Sequence, residues 1–164
     1  MARTPTAAEA KLSLTEHVTA KGVEIFAKYG PQMGWPELQR LLDDRSYVRY
    51  PCTIVFDSAP LLPGEFAHPV QNGEKPEEGF TMYVHPLFQA DLGQVPALVL
   101  YQLVAMNYGA FAACDDAESF GAAALGLTRD EYYAMLCTQA DRLGADHASP
   151  PPADDCGEGC GCGH

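Results

Sequence analysis

Positive charge is scarce in this chain. Its 164 residues include 10 Lys and Arg against 22 Asp and Glu, a formal net charge of -12. The deficit is uneven: residues 76–164 carry only Arg129 and Arg142 against 13 acidic groups. A surface of that sign repels nucleic-acid phosphates and anionic lipid, and it attracts cations or a basic protein partner. Long apolar runs are missing as well. The longest, VPALVLYQLVAM over residues 95–106, contains a Gln and is too short to span a bilayer, so it reads as a buried helix. The N-terminal stretch MARTPTAAEAKLSLTEH places charge throughout what would have to be the apolar part of a secretory signal, which leads to the expectation of a cytoplasmic protein. No dinucleotide-binding G-x-G-x-x-G, Walker-type phosphate loop or G-x-S-x-G nucleophile turn occurs. The enzyme classes built on those motifs have no support here.

What is present is an ordinary globular composition, 47% hydrophobic and 20% charged. A chain of this length can bury roughly two thirds of its unfolded surface in one core. The pattern predicts a flexible arm over residues 1–12, a single globular α+β domain over 13–144, and a Pro/Gly/Cys-rich linker and tail over 145–164. SLTE at Ser13–Glu16 is a capping-box signature, so a first helix is expected from Ser13 to the Gly30–Pro31 break. WPELQRLLDD predicts a short second helix with Pro36 in its first turn, Leu38, Leu41 and Leu42 on one face, and Trp35 as an anchor.

YVRYPCTIVFD, GEFAHPVQ and GFTMYVHPLF are short, β-branched and aromatic, and separated by Pro, Gly and Asn. They predict a small antiparallel three-stranded sheet, with NGEKPEEG as the clearest hairpin connection. Three C-terminal helices follow: the buried one entered at Pro96 and ended at Gly109, one capped by Asp115 with Glu118, and one opened by a Thr128–Glu131 box and stopped at Gly144. The six cysteines, in a reducing setting, read as thiols or metal ligands rather than disulfides. Among them, Cys52, Cys114 and Cys137 lie in apolar segments as small core fillers.

The most specific chemical signal is the ending CGEGCGCGH. Cys156, Cys160, Cys162 and His164 offer three sulfurs and one nitrogen, the donor count of a tetrahedral zinc site, and a sulfur-rich set also suits Cu(I). The intervening glycines matter because a short chain wrapped around an ion needs torsions that a Cβ would forbid. A weaker pair is His68 and His85, each followed by proline. If their strands pair, the imidazoles can converge with Glu65 or Asp57; a His-Pro is equally a plain way to end a ladder.

The order helix, small sheet, buried helix, acidic helix resembles the minimal zincin architecture of metallopeptidase-like proteins over about residues 48–127. In that family the central helix carries H-E-x-x-H, two zinc-binding histidines around a glutamate base. Tyr101, Gln102 and Ala105 stand at the corresponding places in YQLVA. DDAESF resembles the downstream segment that provides a carboxylate ligand, with Glu118 or Asp116 as the candidate. A tyrosine does not replace the imidazole, and a neutral Gln cannot take a proton from water, so the resemblance implies an inactive relative.

The sequence therefore leads to a cytoplasmic, metal-binding accessory protein with no catalytic residues assigned, its thiol-rich tail holding Zn or Cu(I) on an acidic domain. Two alternatives remain open: a small metal-dependent hydrolase using His68, His85 and a carboxylate, and a non-catalytic partner-binding subunit.

Overall fold

The computed structural model describes residue 4 and residues 6–147. It is an α+β fold of five helices and one three-stranded mixed sheet. Helix α1 spans Ala7–Tyr29. It begins at Ala7 rather than Ser13, because Thr6 and Glu9 form a capping box of their own. The Thr6 hydroxyl accepts from the Glu9 amide at 3.2 Å, and the Glu9 carboxylate accepts from the Thr6 amide at 2.8 Å. Ala7, Ala8 and Ala10 are the best helix formers, and each residue added to an existing helix gains a hydrogen bond, so the helix continues through Ser13. Residues 7–12 are thus helical, not an arm.

Helix α2, Trp35–Leu42, buries Leu38, Leu41 and Leu42. The Trp35 ring stacks on Phe56 with centroids 5.8 Å apart. The strands are β1 (Cys52–Phe56), β2 (Ala67–Gln71) and β3 (Phe80–Val84), in the order β1-β3-β2. β2 and β3 form the antiparallel pair expected across residues 72–79, but β1 runs parallel to β3, with Cys52 opposite Phe80 and Phe56 opposite Val84. This corrects the all-antiparallel sheet. Alternating polarity tells a strand which face to bury but not which neighbour to take, and the 57–79 segment, β2 included, is long enough for a parallel crossover.

Helix α3, Val95–Tyr108, lies at the centre, with Val95, Leu98, Val99, Leu100, Leu103 and Val104 all buried. It ends at Gly109, whose φ of 65° favours a residue without Cβ. Helix α4, Cys114–Leu125, starts with Asp116 accepting from the Ala113 amide at 2.9 Å. The cap is therefore Ala113 with Asp116, in place of Asp115 with Glu118. Helix α5, Arg129–His147, opens on the Thr128–Glu131 box and runs past Gly144. α1 packs along α4, and α3 packs on α4 and against β2. No helix among the described residues is long and apolar enough to cross a membrane.

Candidate functional site

The two histidines sit close in the sheet but are used differently. The antiparallel register sets His68 opposite Tyr83, so His85 lies one step beyond the ladder, its amide donating to the Phe66 carbonyl at 2.9 Å. His85 is buried, and its Nδ1 accepts from the Leu87 amide at 3.1 Å, capping the 3-10 turn Pro86–Ala90. His68 is about half exposed on β2, with Nδ1 3.7 Å from Glu65 Oε2. The carboxylates serve turns: Glu65 Oε1 accepts from the Leu62 amide at 2.7 Å, and Asp57 Oδ1 from the Ala59 amide at 2.9 Å. Among the described residues no three His, Cys, Asp or Glu side chains gather as a metal-holding group. Cys156, Cys160, Cys162 and His164, the donors assigned to the tail, lie outside the described residues.

The cysteines that are described divide. Cys52 is a free thiol on β1, and burial pushes its pKa up to about 11, so it is almost wholly protonated at neutral pH and a poor nucleophile. Cys114 and Cys137 are both disulfide-bonded. That corrects the expectation of thiols throughout. A cysteine on a helix has the same sequence pattern whether it is a core filler or half of a cross-link, and only proximity in the fold separates the two.

Along α3, Tyr101 and Gln102 are partly buried and Ala105 is exposed. Tyr101 meets Phe66 edge-on, centroids 6.2 Å apart. Beneath them Tyr132 of α5 is fully buried, its hydroxyl donating to the Ala97 carbonyl at 2.6 Å; desolvation raises its pKa well above the usual phenol value. The three carboxylates of DDAESF are held by cations. Glu118 is buried and pairs with Arg129 at 3.0 Å, and Arg129 reaches Asp115 at 3.1 Å. Asp116, with no exposed surface, takes the Lys11 ammonium, the Thr15 hydroxyl at 2.6 Å and the Ala113 amide. Burial alone would raise the Asp116 pKa, but these donors together lower it below the usual carboxylate range. Lys11 and Thr15 lie one helical turn apart, and nothing in their spacing names a partner some hundred residues away.

Sequence reasoning also passed over the far end of α3. The Arg49 amide donates to Asn107 Oδ1 at 3.0 Å and its guanidinium to the Asn107 carbonyl at 2.9 Å, while Asn107 Nδ2 donates to the Tyr47 carbonyl at 2.8 Å. The same guanidinium lies 5.6 Å from the Tyr108 ring centre. Arg49, Asn107 and Tyr108 border a groove of about 510 Å³ with Tyr50, Phe80 and Met106. The one usable sequence signal was an amide side chain in the last turn of an otherwise apolar helix. No family model, curated protein or solved structure matches this chain.

Proposed function

We propose that the protein is a metal-binding accessory protein in which the segment Cys156–His164 takes up a thiophilic ion, Zn(II) or Cu(I), and the acidic domain favours the approach of cations or of a basic protein that receives the ion. The observation that carries this reading is the donor set itself: Cys156, Cys160, Cys162 and His164 within nine residues, separated almost entirely by glycine. Thiolate and imidazole donors of that number complete a four-coordinate site without help from the domain. A non-catalytic role agrees with the way the domain uses its polar groups. Glu118 and Asp116 are neutralised by Arg129 and Lys11, the His85 Nδ1 is occupied by a backbone amide, and Tyr101 and Gln102 stand where zincins carry ligand and base.

The test is metal titration of the full chain under reductant, beside a chain ending at His147 and a Cys160→Ser/Cys162→Ser variant. One equivalent should bind to the full chain and none to the other two, and binding should weaken as pH falls because protons compete for thiolate and imidazole. Occupancy that survives the double serine change would place the metal in the domain and overturn the proposal.

A further inference from the structure

The sheet has two edges, and they are not alike. β2 carries Pro69 at its middle, a residue without an N–H that guards an edge against further pairing. β1 has no such guard: CTIVF contains neither proline nor charge, and all its residues are β-branched, aromatic or small. In a parallel ladder, alternate residues of a strand turn both N–H and C=O to the same neighbour. Pro51 accepts from the Phe80 amide at 2.7 Å and the Asp57 amide donates to Val84 at 3.1 Å, so residues 51, 53, 55 and 57 face β3. Cys52, Ile54 and Phe56 therefore direct their N–H and C=O groups to the open side, where no hydrogen bond among the described residues uses them.

That phase is self-complementary, and we infer that β1 is a homodimer edge, pairing antiparallel with β1 of a second copy about a two-fold axis at Ile54. Ile54 then faces Ile54 of the second copy and Cys52 faces its Phe56, each pair exchanging two hydrogen bonds. The register follows from the phase: any pairing that engages the free groups of both strands and is symmetric within Cys52–Phe56 has Ile54 on the axis.

Two further observations favour a second copy. The nearest charges beyond the strand are Arg49 before it and Asp57 after it. Antiparallel pairing brings the basic end of one strand beside the acidic end of the other, whereas parallel pairing would set like beside like. The uncharged strand also lets two chains of net charge -12 meet without like charges on the axis. On the outer face, exposed Thr53 falls opposite Val55 of the second copy, and Val55, 40% exposed here, gains cover.

The test is sedimentation of the full chain under reductant, which excludes dimers made by the tail cysteines. The wild type should reach twice the 17.7 kDa chain mass as concentration rises. Thr53→Lys/Val55→Lys puts like charges directly opposite across the axis at exposed positions and should abolish the dimer while leaving the melting curve of the dilute protein unchanged. Thr53→Glu/Val55→Glu should do the same. Mixing the two variants sets Lys opposite Glu and should restore a mixed dimer. A wild type that stays monomeric at its solubility limit, a dimer that survives both charged variants, or a mixture that stays monomeric would each overturn the inference. The mixing arm separates a register-specific interface from a variant that has merely lost its fold.

Discussion

Replacing Gly22 by alanine should destabilise this protein, although the same change in a free helix stabilises it. Gly22 is buried on α1 where that helix crosses α4. A Cβ built there lies 2.6 Å from the Phe120 carbonyl oxygen, 2.7 Å from the Ala123 Cβ and 3.1 Å from the Ala124 amide. Carbon contacts are comfortable at about 3.5–4.0 Å, so the helices must part by roughly 1 Å. None of the three opposing atoms belongs to a side chain that can swing aside. Helix propensity contributes a gain of about 1 kcal/mol on Gly→Ala, while overpacking a close contact costs roughly 1–3 kcal/mol and loosens the whole interface. Contacts this short against backbone atoms put the cost at the upper end, about 2–3 kcal/mol, so the clash should win by about 1–2 kcal/mol. At about 2–4 °C per kcal/mol for a domain of this size, the melting temperature should fall by roughly 2–8 °C.

Gly144 of α5 provides the control, since a Cβ there meets nothing within 4 Å. Gly144→Ala should be neutral or raise stability by up to about 1 kcal/mol. Thermal and urea unfolding of both variants would check the pair. If Gly22→Ala proved as stable as Gly144→Ala, the close approach of α1 and α4 would be refuted.

Asp116→Asn should cost about 2 kcal/mol, because the amide loses its charge-assisted bonds to Lys11 and Thr15. The loss stays below that of a fully buried broken pair since Lys11, 36% exposed, can turn to water. The folded Asp116 pKa lies below its unfolded value, so its contribution is complete above the unfolded pKa and disappears as pH falls through the folded one. Asp44 behaves alike: the Lys28 ammonium beside it lowers its pKa to about 2. Wild-type stability should therefore fall steeply below about pH 4, and the Asp116→Asn curve should fall less in that window; parallel curves would show that Asp116 is not ion-paired. Thiol counting on the denatured chain should find fewer than the six cysteines without reductant, and reduction should release at least the two thiols of Cys114 and Cys137. Six thiols before reduction would refute those cross-links.

Local chemistry alone was enough for most of the element inventory. Leu38, Leu41 and Leu42 at helical spacing, the apolar run from Val95 to Met106, the Thr128–Glu131 box, and the Pro and Gly breaks around three β-branched runs each depend on residues a few positions apart. Such interactions are fully written in consecutive residues. The tail donors are legible for the same reason, since a cluster of ligands within nine residues needs no fold to bring it together.

Everything decided by distant residues had to wait for the tertiary structure. Ser13–Glu16 and Thr6–Glu9 are equal capping signals. The outer one is used in a helix that also brings Lys11 and Thr15 to Asp116, a partner on α4. The same choice makes Asp116 a cap and leaves Glu118 to Arg129. The alternation in CTIVF settles which side chains face the core, but that β1 takes β3 as a parallel partner depends on where the 57–79 segment carries the chain. Periodicity is a property of neighbours along the chain. Pairing, disulfide bonding and buried ion pairs are properties of neighbours in space, and packing several elements into one core is what chooses them.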